Sequence, residues 1–474
     1  MTPLILWFRR DLRLDDNPML AAAAATGRPL IAVFIADGSV TDIGAAARWR
    51  YGEAVEAFTR RLAERGGHLV LRRGPALAVL RALVAQTGAD AVWWGRLYDP
   101  QARNRDTAIK TALGADGIEV RSFHGHCLVE PWQVETGDGG AFKVYSPFWR
   151  AVSARGVEPP LATPERLTFH AGQPRSESLA GWRLGAAMNR GAPVLAPHAQ
   201  VGEDAALARL DRFLAGPIDR YRTDRDFPAR NAVSGLSENL TYGEIGPRRI
   251  WHAARAIEAA QPGHGGVEHF RKELVWRDFA QHLAYHSPRI LTEAWRPEWA
   301  AFPWRGDGDV AETWRRARTG EPMVDAGLRQ MYVTGVMHNR SRMIVASYLT
   351  KHLSTHWKIG LDWFADCLTD WDPASNAMGW QWVAGCGPDA APYFRIFNPA
   401  TQAEKFDETG AYRTMFIAEG QADPPAEAQA YFDAVPRAWC LSPDAAYPAP
   451  LIDRKAGRER ALAALKTMKN RIAP

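Results

Sequence analysis

Glu273, Trp276 and Arg277 stand at i, i+3 and i+4 in the stretch FRKELVWRDFAQHL, so a helix there puts a carboxylate, an indole and a guanidinium on one face. Such a face can receive a nucleobase, the ring stacking on it and the acid bonding its edge. Taken alone, the helix reads better as a surface ion pair beside a half-buried tryptophan. Asn339, Arg342 and Met343 repeat the spacing in HNRSRMIVASYLTKHL. They suit a site that is half polar and half apolar, or equally a capped helix start with methionine in the core. The stretch DWDPASNAMGWQW, Asp370 to Trp382, gathers three tryptophans and two aspartates. It is either an aromatic staple or the lining of something electronically active. NAVSGLSENLTYGEIGP, from Asn231, offers hydroxyls and backbone N–H groups to a phosphate ahead of a helix, although it matches neither a P-loop nor GxGxxG. His282 and His286 have metal-like spacing without an acid or cysteine to complete a set, so two solvent-facing histidines are expected and no metal site. Cys127, Cys367, Cys386 and Cys440 lie far apart with no CxxC, which argues against a disulfide framework or a metal cluster and leaves four buried thiols.

These residues need elements to hold them. A chain of 474 residues exceeds what one core usually organises, so two domains are expected. The first part alternates strand-like runs (LILWF, PLIAVFI, HLVLR, ADAVWWG, IEVRSF) with helical ones, the pattern of a doubly wound parallel sheet. This α/β domain is expected over 1–131. Residues 132–200, rich in Pro, Gly and turn residues, read as a connector. From 201 to 474 the runs DAALARLDRFLAG, PRRIWHAARAIEAAQ, FRKELVWRDFAQHLAYH, RMIVASYLTKHLSTHW and LDWFADCLTDW carry helical periodicity, so the second domain is expected to be all-α.

With 46% hydrophobic and 23% charged residues the composition is that of an ordinary soluble protein. No run approaches the roughly 20 apolar residues of a membrane span, and MTPLILWFRRDLRLDD turns charged too early for a signal peptide, so a cytoplasmic enzyme is expected. The net charge of +5 is compatible with a polyanionic partner. Nineteen tryptophans are the outlier.

In order and spacing, WFRRDLRLDDNP, KVYSPFWR, YRTDRDFP, VSGLSENL, ELVWRDF, VDAGLRQMYVTGVMHNRSRM and DWDPASNAMGWQWVAGCGPDAAPYFRIFNPATQAEKFD resemble the photolyase/cryptochrome family, and most of all bacterial class I cyclobutane pyrimidine dimer photolyases. The resemblance implies an N-terminal Rossmann-like antenna domain and a helical domain holding FAD. It further implies light-driven electron transfer from reduced FAD to a thymine dimer flipped out of DNA, with no net redox change. Carried over by position, Tyr221, Ser234, Leu236 and Ser237 would contact the FAD phosphates. Arg342, Asp370, Asp372 and Asn376 would surround the ring system, Asn376 at its reactive edge. Glu273 would bond the dimer's bases between the aromatic walls Trp276 and Trp382, with Asn339 and Met343 completing the pocket and Arg225 and Arg340 meeting the DNA backbone. Trp380, Trp357 and Trp304 match the family's electron relay, and Trp371 is left as packing.

The chain also departs from the family pattern. The phosphate loop, commonly TSRLS, reads VSGLS, so Val233 and Gly235 lack a hydroxyl and a guanidinium. Gln101 and Ala102 replace the Asn and Glu that hold methenyltetrahydrofolate in folate-type members, which disfavours a folate antenna and leaves a deazaflavin, a second flavin or none. MFIAEG around Glu419 replaces a WVPEL-like segment without an evident reason. The alternative within the fold is a cryptochrome-type photoreceptor; against it stand Glu273, Trp276, Met343 and Asn376, while Asn339 and Met343 take places where a (6-4) photolyase carries histidines. A monomer acting on dimer-containing DNA is expected.

Overall fold

The computed structural model describes residues 1–172, 174–389 and 394–472, so residues 390–393 of the last family-like motif lie outside the description. By internal contacts they form two compact units. One comprises Met1–Ala187, Gln200–Arg222 and Val233–Pro288, and the other Met188–Ala199, Thr223–Ala232 and Arg289–Pro474.

The first unit is built on five strands, β1 (Leu4–Phe8), β2 (Leu30–Ala36), β3 (Leu69–Arg73), β4 (Ala91–Gly95) and β5 (Glu119–Phe123). All pair in parallel in the order β3-β2-β1-β4-β5. The helices α1 (Pro18–Ala25), α2 (Ala45–Ala63), α3 (Ala76–Thr87) and α4 (Pro100–Ala115) make the crossovers, as the doubly wound reading requires. Leu4, Leu6 and Phe8 of β1 enter one apolar cluster and Ile5 and Trp7 another, so both faces of the central strand are covered. Strand order reverses between β1 and β4, and a cleft there is lined by Arg10, Asp11, Arg13, Gly95, Arg96, His124 and His126. The same unit carries α5 (Tyr145–Arg155), α6 (Glu203–Leu214), the short α7 (Ser237–Tyr242) and α8 (Gly265–His286).

The second unit contains α9 (Pro322–Thr334), α10 (Asn339–Ser347), α11 (Trp357–Cys367) and α12 (Pro373–Ala384). Its core gathers Trp299, Trp314, Trp357 and Trp380, with Trp304, Trp371 and Trp382 packed against it. RMIVASYLTKHLSTHW is not one helix. α10 ends at Ser347, a π-helical turn follows over Tyr348–His352, and Ser354 takes a left-handed φ of 55°. Beyond it the backbone pairs instead, Arg305 N donating to Ser354 O at 2.7 Å and His356 N to Arg305 O at 3.0 Å. LDWFADCLTDW is likewise only partly helical: α11 stops at Cys367, and α12 starts beyond the run, at Pro373 under an Asp372 cap. The four thiols are not uniformly buried: Cys127 and Cys386 are, Cys367 is half-buried, and Cys440, ending a surface turn, is exposed.

Within MFIAEG the structure gives Glu419 a role, though not the residues around it that differ from the WVPEL-like segment. The buried Glu419 carboxylate accepts from Arg329 Nη1 at 2.6 Å, Arg329 Nη2 at 2.8 Å and Arg318 Nη1 at 2.8 Å. Burial opposes its charge, but the two guanidiniums outweigh it and hold the carboxyl below the ordinary range.

Candidate functional site

In the first unit α8 carries Glu273 and Trp276, both half-buried. Buried side chains one face round fix the helix. Asp278 Oδ2 accepts from Leu128 N at 2.8 Å and Val129 N at 3.2 Å, and burial pushes its carboxyl up to about 7. Of the three residues at i, i+3 and i+4, Arg277 turns to the protein itself, its Nη1 donating to His126 O at 2.6 Å. His282 also departs, being fully buried rather than solvent-facing. Its Nδ1 meets Pro131 O at 2.9 Å, and its Nε2 accepts from Phe142 N at 3.0 Å, which assigns the proton to Nδ1. Burial, aided by His286, pushes it down to about 4, so it is neutral at pH 7. With both ring nitrogens bonded to backbone it ties α8 to the chain leaving the sheet.

Tyr221, Ser234, Leu236 and Ser237 also lie in the first unit. Leu236 and Tyr221 are buried, Ser234 is half-buried and Ser237 opens α7. Gly235 turns with φ +64, and Arg209 of α6 comes up against it, donating to Gly235 O and, at 3.1 Å, to Asn239 Oδ1. A guanidinium therefore stands at the very loop whose sequence lacks one. Sequence reading missed it because Arg209 lies 26 residues upstream. Gln101 is exposed and Ala102 buried in the first turn of α4, whose start Asp99 caps.

In the second unit, Thr369 N donates to Gly335 O at 2.8 Å, bringing Asp370 to the turn between α9 and α10. There Arg342 Nη2 meets both Asp370 oxygens, at 2.7 Å and 2.9 Å, while Arg342 Nε donates to Met337 O at 2.7 Å. Asp372 is the α12 cap, accepting from Ser375 N at 2.8 Å. Asn376, one turn on, donates from Nδ2 to Leu361 O at 3.0 Å. This mixed set of guanidinium, carboxylates and carboxamide fits a heteroaromatic edge that presents acceptors beside a donor, as the pyrimidine-like side of an isoalloxazine does. Asn339 is exposed, and Met343 packs against the core. Arg340 pairs with Asp226 at 2.7 Å and lies 4.2 Å from the Phe406 ring centroid. Arg340 and Arg225 are both close enough to act on the charge of His338, which burial pushes down to about 4. Trp382 Nε1 donates to Asp389 O at 3.1 Å.

The three tryptophans expected to form a relay are linked through groups that lie between them. Trp380 lies so close over Gly360 that a Cβ there would sit 2.0 Å from the indole, and Gly360 is one turn along α11 from Trp357. From Trp357 the next ring is His356, stacked with centroids 5.6 Å apart, and His356 is in turn 5.6 Å from Trp304. The Arg305–Thr355 pairing holds this end in place. Burial and Lys358 lower the His356 pKa, and its Nδ1 accepts from Lys358 N at 3.1 Å.

Two family models match the chain, DNA photolyase over residues 4–165 and the FAD binding domain of DNA photolyase over 270–467. A curated relative from Agrobacterium fabrum, deoxyribodipyrimidine photo-lyase, is 44% identical over 98% of this chain and 98% of its own. The crystal structure of a class III photolyase from Agrobacterium tumefaciens superposes with a TM-score of 0.90 at 42% identity, covering 99% of this chain and 98% of that one. The expected likeness to class I members is thus answered by a class III structure. An archaeal photolyase from Sulfolobus tokodaii, solved with two FAD molecules, gives a TM-score of 0.81 at 27% identity, covering 98% of this chain and 100% of that one. Among the described residues no helix is long and apolar enough to cross a membrane. With sheet order, helical half and both family models in agreement from end to end, the chain belongs to the photolyase/cryptochrome family and carries its FAD-binding domain.

Proposed function

We propose that this protein is a light-driven DNA repair enzyme, a deoxyribodipyrimidine photo-lyase that splits cyclobutane pyrimidine dimers. The observation that carries the reading is the 44% identity to a protein of that name over 98% of both chains. When bound and fully reduced, FAD supplies the electron that blue light drives onto the dimer and that returns once the ring has opened.

The chain's residues bind, orient and shield. Glu273 bonds the flipped bases and Trp276 stacks on them, and Trp382, Asn339 and Met343 are further contacts for the lesion. Flipping costs a few kcal/mol, least at a damaged pair, and stacking at roughly 1–3 kcal/mol per base offsets it. Arg225 and Arg340 meet DNA phosphates, Arg340 exchanging its Asp226 partner for one. Tyr221, Ser234, Leu236 and Ser237 hold the cofactor phosphates, and Arg209 supplies the guanidinium that Gly235 lacks. Arg342, Asp370, Asp372 and Asn376 orient the ring system. Trp304, Trp357 and Trp380 pass electrons inward to it. Residues 1–131 form the antenna domain, 132–200 the connector and 201–474 the catalytic domain. A second flavin or a deazaflavin is the favoured antenna over a folate, since Gln101 and Ala102 supply no carboxylate. The enzyme works as a cytoplasmic monomer.

Flavin-loaded, chemically reduced protein under blue light should restore thymine dimers in single- and double-stranded DNA. Binding dimer DNA no better than undamaged DNA would sink the repair reading. Photoreduction without repair would favour the photoreceptor alternative.

A further inference from the structure

Tyr145 and Trp276 lie face to face in the first unit, ring centroids 3.6 Å apart and planes 6° from parallel. Aromatic pairs left to themselves prefer offset or edge-on geometry, because the quadrupoles of two eclipsed rings oppose one another. Here the surroundings impose the stack. The Tyr145 hydroxyl donates to Lys272 O at 2.7 Å, a carbonyl one turn before Trp276 on α8. Phe279 meets both rings edge-on, 5.9 Å from Tyr145 and 5.8 Å from Trp276. Tyr145 is 7% exposed and opens α5, whose Phe148 packs on Phe279 at 5.2 Å. Trp276 nevertheless stays half-buried, covered on one side while still reaching solvent.

We propose that Tyr145 is a positioning residue for lesion recognition: it occupies one face of Trp276 and fixes the indole plane so that the opposite face is presented to a base of the dimer. This rests on the reading of Trp276 as a wall of the lesion pocket. An indole covered on one side takes a base on the other side only, which gives the pocket a handedness that a freely rotating tryptophan would lack. Held in one orientation beforehand, it gives up little freedom when the base arrives. Tethering through a backbone carbonyl of α8 makes Tyr145 move with the helix that carries Trp276 and Glu273, so the three keep their relation.

The test is the affinity of flavin-loaded protein for a short single strand containing one thymine dimer, and for the same strand undamaged. Tyr145→Leu should weaken dimer binding about tenfold, the upper range for one aromatic pair, and leave undamaged binding unchanged. Tyr145→Phe, which keeps the stack and loses only the tether, should stay within about twofold. Normal dimer binding by Tyr145→Leu, while Trp276→Leu loses it, refutes the positioning role alone. An equal fall for Tyr145→Phe, or loss of undamaged binding by Tyr145→Leu, shows that the stack is not what matters and also overturns it. Normal dimer binding by Trp276→Leu removes the pocket reading and the positioning role together.

Discussion

Asp372 shows how one side chain can hide behind another role. The resemblance assigns it to the flavin, yet DPAS is equally a helix start, a capping aspartate followed by proline at the first helical position, and the carboxylate does accept from Ser375 N. Asn376 is then placed by the helix that Asp372 begins. His282 was illegible for a different reason: i, i+4 spacing fixes a shared face but not whether that face meets water. Arg209 could not be read because local motif reasoning does not reach the helix that supplies it. Trp380 has a sharper consequence. Its indole lies over Gly360 of α11, one turn from Trp357, so in the proposed relay its replacement removes the inner end. Trp380→Phe should abolish photoreduction of oxidised flavin, followed by absorbance under blue light, while chemically reduced protein repairs dimers at the wild-type rate. Equal loss of both activities would remove the relay assignment.

At the scale of elements, strand runs were legible almost to the residue, because a parallel sheet covered on both faces writes continuous apolar segments such as LILWF and LIAVFI. The break between α10 and α11 was not. Apolar periodicity continues through YLTKHL, and what interrupts it is a pairing with Arg305, some 50 residues away, that no local pattern encodes. Helix-on-helix contact between α11 and α12 turns on one missing side chain, since Gly360 gives Trp380 its seat. Gly360→Ala puts a methyl inside that ring and should cost about 2 kcal/mol of stability, measured by denaturant unfolding. The relay should suffer with it, photoreduction slowing as Trp380 is displaced. An alanine variant with wild-type stability would show that the two helices yield without cost.

At the scale of the molecule, acid should loosen the structure through its buried imidazoles. His282 sits near pKa 4 when folded and near 6.5 in an unfolded chain. The folded state therefore binds fewer protons between those values, so its contribution to stability is complete above about pH 6.5 and is lost as pH falls toward 4. For His282 alone the loss amounts to roughly 3 kcal/mol. Thermal unfolding of wild type and His282→Gln, followed by circular dichroism from pH 7.5 to 4.5, should show a shallower pH slope in the variant, even though its stability at pH 7.5 is lower. Parallel slopes would mean that other groups govern the acid limit.

Glu419 belongs to a trio with the buried Arg329 and the half-buried Arg318. Deleting the carboxylate would strip the buried Arg329 of its bonded counterion and leave only the more distant Asp325 to balance it, a change that costs about 3 kcal/mol. Position 419 is consequently not free to drift by itself. Charge can leave this position only if Arg318 and Arg329 change with it, which makes three residues scattered over a hundred positions a single unit of inheritance.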